Sequence, residues 1–351
     1  MKIFNSPAWI RIGAALVTFA LTACATPSTT PPRNPWASPD REYNFSSQET
    51  NADLNALMQP CIDHARETFP EAAVRFDAGL PPETLFVVVA FSDYGTTEYV
   101  FVDATDATQI NGLMYRDSRV NGRRYDRGDR ISLDITDVVD WLIQYPDRPE
   151  EGNLTGKYML LRQDGLAHGA CNPQDSEFQH FRFFAWEYSF VPPGVEGWEA
   201  DGQTNDADMS MQEKGDSPNE LNTLYANGYS APAFATDQEF IDKIIEVEKK
   251  NLGDPARYTL FEHRVAAYTE HETRCVRSHQ VIEDNQALLS KSGERGPMTR
   301  EILSLACVHP RMNTMVVGIT YSHRYQPGHR DPAFTEKADT VFKSLAFKIR
   351  N

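Results

Sequence analysis

Long apolar runs are scarce in this chain. The apolar, uncharged stretch near the amino end, Ile12–Ala20, is nine residues, and a helix crossing a hydrocarbon core of about 30 Å needs roughly 20. Basic residues are also in short supply: 34 Lys+Arg face 50 Asp+Glu, for a formal charge of −16. A body this acidic repels the phosphate backbone, so nucleic acid is not expected as a partner, and it does not adhere by charge to anionic lipid surfaces. There is no phosphate-binding loop, no dinucleotide fingerprint and no repeat of fixed period. His271-Glu272-Thr273-Arg274-Cys275 starts like the zinc-protease pattern but puts cysteine where the second histidine belongs. Gly228-Tyr229-Ser230-Ala231-Pro232 lacks the closing glycine of a hydrolase elbow. No cofactor is expected.

What the chain does have begins at its amino end. Lys2 and Arg11 bracket a short charged region, and the apolar stretch after it has the length of a secretory signal core rather than a span. The stretch ends Leu21-Thr22-Ala23-Cys24, which resembles the bacterial lipobox. That resemblance implies a signal peptide over 1–23, diacylglycerol on the Cys24 thiol, and acylation of the new amino terminus. Two or three chains, at about 0.8 kcal/mol per buried methylene, anchor a protein that one chain would release. Cleavage removes Lys2 and Arg11 and takes the formal charge from −16 to −18. From 24 to 45 the chain is rich in Pro, Ser and Thr, a semi-rigid stalk. Ala25 after the cysteine favours the outer membrane, facing the periplasm, if the cell is Gram-negative. The expected partners are the membrane, through Cys24, and an envelope protein.

Four other cysteines remain: Cys61, Cys171, Cys275 and Cys307. Four thiols allow three pairings, and an oxidising envelope makes disulfides the default. Their positions in the two halves suggest Cys61–Cys171 and Cys275–Cys307, one bridge per domain.

Some 300 mature residues suggest two domains, both α+β with antiparallel sheets: one over 46–165, a polar hinge over 166–185, and a second over 186–351. In the first, Leu54, Leu57, Met58, Cys61, Ile62 and Ala65 form one helical stripe, with a kink or break expected at Pro60. The run 85–104 reads as a β-hairpin turning at Ser92-Asp93-Tyr94-Gly95. Further strands are expected near Gln109–Tyr115, Arg130–Ile135 and Lys157–Arg162, with a helical turn at Asp137–Ile143. The hairpin, with Glu98 opening its second strand, together with INGLMYRD (110–117), YDRGDRISL (125–133) and ITDVVDW (135–141), resembles the YegJ-like bacterial domains, domain-of-unknown-function family 2314. That resemblance implies a fold and supplies no catalytic residues.

In the second half, Thr236…Glu239 is a capping box opening a helix that buries Phe240, Ile241, Ile244 and Ile245 and stops at Gly253. The runs 258–283 and 315–325 alternate like half-buried strands. The opening WEYSFVPPGVEGWEA (186–200) and the ending TEKADTVFKSLAFKI (335–349), a helix into a last strand, resemble the ends of PsbP-like domains.

Three residues, Glu98, Asp140 and Trp141, are candidates for a polar site; the plainer reading puts Trp141 in the core with its indole N–H bonded. An alternative for the second half is zinc held by Cys275, His279, Cys307 and His309, which share strand parity in pairs. The competing disulfide reading leaves both histidines partly exposed at the surface. The sequence therefore favours a lipid-anchored envelope protein that binds or assists without catalysis. The alternative is an envelope hydrolase using scattered carboxylates and histidines.

Overall fold

The computed structural model describes residues 36–38, 51–77, 84–93, 96–106, 110–120, 123–145, 148–194, 196–200, 207–215, 219–289 and 293–348. Cys24, the signal region and nearly all of the 24–45 segment lie outside the described residues. The fold is α+β, with five α-helices among the described residues and antiparallel sheets throughout. The chain divides into two units: 34–195 with 344–351, and 196–343.

In the first unit, helix α1 (Asn51–Asp77) runs unbroken through Pro60 and Pro70. The helix is thus not split at Pro60, one of the two expected outcomes there. Both prolines lie on the exposed face, where a carbonyl robbed of its amide partner can bond water. The opposite face buries Leu54, Met58, Cys61, Ile62, Ala65 and Phe69, and that burial offsets the roughly 3 kcal/mol cost of an interior proline.

The hairpin pairs β1 (Thr84–Asp93) with β2 (Thr96–Asp106). Around it are β3 (Asn111–Met114), a small ribbon of β4 (Ser118–Val120) and β5 (Arg123–Tyr125), β6 (Arg130–Ser132), β7 (Val138–Gln144) and β8 (Glu151–Gly152). The main sheet has the order β6-β3-β2-β1-β7-β8. Leu85, Val87 and Val89 of β1 pack with Ala65, Phe69, Ala72 and Trp141. Val88 belongs to a second cluster, with Leu54, Met58, Tyr158 and Cys171.

Two short segments depart from expectation. Residues 138–144, read in part as a helical turn, are strand β7, and 157–162, read as a strand, belong to helix α2 (Leu154–Gln163). The first six residues of β7 are all buried, and α2 is buried on most sides. An element without a wet face shows no period, so neither segment carried a signal to separate helix from strand.

Residues 166–185, read as a hinge, lie inside the first unit. They contain Cys171, whose backbone N–H donates to Leu57 O at 2.7 Å and whose sulfur is bonded to Cys61. The segment goes on into α3 (Ser176–Gln179) and β9 (Phe183–Phe184), with β10 (Tyr188–Phe190) just beyond it.

The second unit is a seven-stranded antiparallel sheet. Its strands are β11 (Trp198–Ala200), β12 (Asp208–Lys214), β13 (Leu221–Ser230), β14 (Tyr258–Tyr268), β15 (Cys275–Leu288), β16 (Arg295–Val308) and β17 (Met315–Tyr325), ordered β11-β12-β13-β17-β16-β15-β14. Helix α4 (Asp237–Asn251) opens on the expected Thr236 cap, with Glu239 N–H donating to Thr236 Oγ1, while the Glu239 carboxylate takes the Ala235 N–H rather than that of Thr236. Its Phe240 packs on Val276, Ala306 and Val316. Helix α5 (Phe334–Lys343) lies on the other face, where Phe334 stacks with Tyr321 at 5.3 Å and Asp339 pairs with Arg277. The last strand, β18 (Ala346–Phe347), leaves this sheet. It pairs with β10 in a small sheet of order β18-β10-β9 within the first unit.

Candidate functional site

The two sequence candidates that the structure describes, Asp140 and Trp141, come together at one cleft of about 260 Å³ in the first unit. Helix α1 supplies His64, Thr68, Glu71 and Arg75; the β7–β8 edge supplies Asp140, Trp141 and Glu151. Glu98 lies in β2 opposite Phe91, and its side chain falls outside the described residues.

Asp140 is fully buried. Its Oδ1 accepts the Trp141 N–H at 2.8 Å, and its Oδ2 accepts both the Thr155 N–H at 2.6 Å and the Thr155 hydroxyl at 2.7 Å. Thr155 stands in the first turn of α2, whose own N-cap, Asn153, has φ 57° and makes no side-chain cap bond. Asp140 thus caps α2 from the neighbouring strand, placing a carboxylate at the positive end of the helix. Burial pushes its pKa up to about 6, against the pull of the Thr155 and Trp141 hydrogen bonds and the Lys157 charge.

Trp141, Thr68, Glu151 and Arg75 of the cleft are engaged as well. Trp141 is buried and donates its indole N–H to Thr68 Oγ1 at 3.1 Å. The Thr68 hydroxyl in turn donates to His64 O within α1. Glu151 is held by Arg75 at 2.6 Å and by the Tyr145 hydroxyl at 2.9 Å. Gly152 closes the cleft at φ 77°, and a Cβ there would sit 2.3 Å from Trp141 O. Thr68 is a hydroxyl without a base positioned on it, and Asp140 spends its acceptors on two amides and the Thr155 hydroxyl. These contacts order α1, β7 and α2 against one another; none aligns a nucleophile with a base in the way acyl transfer requires.

In the second unit, Cys275 and Cys307 face one another across β15 and β16 and are joined as a disulfide. Their sulfurs are therefore not thiolates for zinc, and the two histidines of that alternative point to other partners. His279 lies between Glu262 (Nδ1, 2.8 Å) and Glu301 (Nε2, 3.0 Å). Arg330 grips Glu301 with two bonds, of 2.6 and 2.9 Å. Burial would raise the Glu301 pKa, but Arg330 and His279 together hold it below the usual range. His309 is 2% exposed rather than a surface residue, and its Nδ1 accepts amide hydrogens from Arg311 and Met312. Among the described residues no group of three or more His, Cys, Asp or Glu is placed to hold a metal ion.

Sequence reasoning missed Thr155, Glu301 and Arg330. Glu301 carried a legible signal, because it shares strand parity with buried Leu303 and Leu305. A charge on an apolar face announces a partner. Thr155 gave none: it meets Asp140 only through the fold.

No helix among the described residues is long and apolar enough to cross a membrane. No family model and no curated protein matches the chain. Among solved structures there is weak similarity to the cyanobacterial PsbP (CyanoP) of Synechocystis sp. PCC 6803, at 13% identity and TM-score 0.30, over 50% of this chain and 96% of that one. A second weak similarity is to LpqN, described as involved in cell envelope biogenesis of Mycobacterium tuberculosis, at 12% identity and TM-score 0.31, over 50% of this chain and 99% of that one.

Proposed function

We propose that this protein is a lipid-anchored component of the bacterial cell envelope, acylated at Cys24, whose folded units bind or assist a partner and carry no catalysis. The observation that carries the reading is the seam at Leu21-Thr22-Ala23-Cys24, an apolar stretch ending in small residues and cysteine and followed at once by a proline-rich stalk. The two disulfide-bonded cysteine pairs suit an oxidising compartment. The cleft supports a non-catalytic reading, since Asp140, Thr68 and Glu151 are engaged in holding elements together.

Replacing Cys24 with Ser tests it. Labelled fatty acid should enter the wild-type protein and not the variant, and the variant should leave the membrane pellet while keeping both disulfides. Label in the variant, or a wild-type protein that partitions with the soluble fraction, would refute the anchor.

A further inference from the structure

The sheet of the second unit carries a pair of arginines that the fold itself does not neutralise. Arg300 on β16 and Arg324 on β17 are direct cross-strand partners, and both point to the α4 face of the sheet. Directly opposed like charges destabilise an antiparallel pair. Neither guanidinium donates a hydrogen bond to a described residue, and the Arg324 Nε is buried without an acceptor. The carboxylate whose charge reaches both, Asp284, is already gripped by Arg257 at 2.8 and 2.7 Å and accepts the Gln286 N–H. In a chain with 50 acidic and 34 basic residues, this spot holds three arginines around one aspartate.

The surroundings continue the pattern. One pleat along β17 on the same face, Ser322 meets Thr223 of β13, oxygen to oxygen at 2.6 Å, and the next pair, Ser304 and Thr320, meets at 3.1 Å. A row of hydroxyls thus leads from the arginine pair across the middle of the sheet. Burial and the neighbouring Arg324 charge push the Arg300 pKa down to about 10. The pair is therefore held at an electrostatic cost that a bound anion would relieve.

We propose that Arg300 and Arg324 form the binding site for a phosphate group, with the Ser322–Thr223 hydroxyls as neighbouring polar contacts. Two planar guanidinium forks borne by paired residues of adjacent strands, close enough for one charge to act on the other, suit a tetrahedral dianion, whose oxygens can receive both, whereas a carboxylate fills one fork. The acidic body around the site discriminates against anionic surfaces, which favours a small phosphate-bearing solute over a lipid headgroup. The site stands whether or not Cys24 is acylated.

The test uses the full chain carrying Cys24→Ser, so that no acyl chain contributes to binding. Titration with inorganic phosphate and with phenyl phosphate, at ionic strength matched by chloride, should give one site per chain and raise the melting temperature. Arg300→Gln and Arg324→Gln should each weaken binding at least tenfold while leaving the unliganded melting temperature equal or higher, because each removes repulsion. Arg264→Gln, an exposed arginine on the opposite face, should change nothing. Flotation with vesicles of phosphatidylglycerol against phosphatidylcholine separates the sources. Monoester binding without flotation assigns the site to a solute, and flotation lost in both arginine variants assigns it to a headgroup. No response to phosphate, monoester or vesicles, or equal binding in folded Arg300→Gln and Arg324→Gln, would overturn the site.

Discussion

Loss of the Cys61–Cys171 bridge is expected to destabilise the first unit by roughly 4–5 kcal/mol on the chain-entropy account. The two cysteines are 110 residues apart, so the closed loop takes in the hairpin, the main sheet and α2. The Cys275–Cys307 bridge, with a separation of 32, should contribute about 3–4 kcal/mol on the same account. Both sulfurs of the longer bridge lie in one apolar cluster with Met58, Val88 and Tyr158, so replacing the pair with alanine also leaves unfilled volume. Urea midpoints of Cys61→Ala/Cys171→Ala and Cys275→Ala/Cys307→Ala variants separate the two contributions. A shorter-loop variant that loses more than the longer-loop one would show that chain entropy does not rank them.

Asp140→Ala is expected to cost about 3–4 kcal/mol near pH 5, because it leaves the buried Trp141 and Thr155 amides without an acceptor. The penalty should shrink as pH rises. The folded pKa of Asp140, pushed by burial to about 6, stands above the ordinary aspartate value of 3.8. The folded state therefore holds a proton that the unfolded chain releases. The stability this adds is fully present below about pH 4 and is lost as pH rises through about 6, up to about 3 kcal/mol for a shift of this size. Asp140→Asn, neutral throughout, should remove that part of the pH dependence at a smaller structural cost. Urea midpoints at pH 5 and pH 8 for the three proteins decide the matter. A penalty for Asp140→Ala that grows toward pH 8 would mean that the three hydrogen bonds outweigh burial and hold the carboxyl ionised.

The parts of the fold that were legible in the sequence have one wet face or a local cap. The α1 stripe, the 85–104 hairpin, the Thr236 capping box and the alternating runs of the second sheet all announce themselves through period or short-range chemistry. Strand β7 and helix α2 did not, because VVDWLI and KYMLLR are buried on most sides and carry no period. The candidate site was half legible. Asp140 stood out as a carboxylate inside an apolar run, but its role as a cap depends on Thr155, brought to it by a turn through Gly152 and Asn153. The boundary between units was misplaced for a related reason. The polar composition of 166–185 reads as linker, while Cys171 ties that segment to α1.

The departure of β18 from the second sheet bears on the order in which this protein can fold as it is made. Residues 196–343 form a unit set between two stretches of the other one, so the small sheet of the first unit lacks its outer strand until the last residues have emerged. Until then Tyr188 and Ser189 have no partner in that strand, and the Ser344 hydroxyl and carbonyl are absent from Val191 and Arg182. Folding from the amino terminus, the usual sequence for domains made one after another, would stall here with an exposed strand edge, a template for pairing with another chain. A chaperone that holds the unfinished chain would be most needed in that interval, and a premature stop after Lys343 would make it permanent.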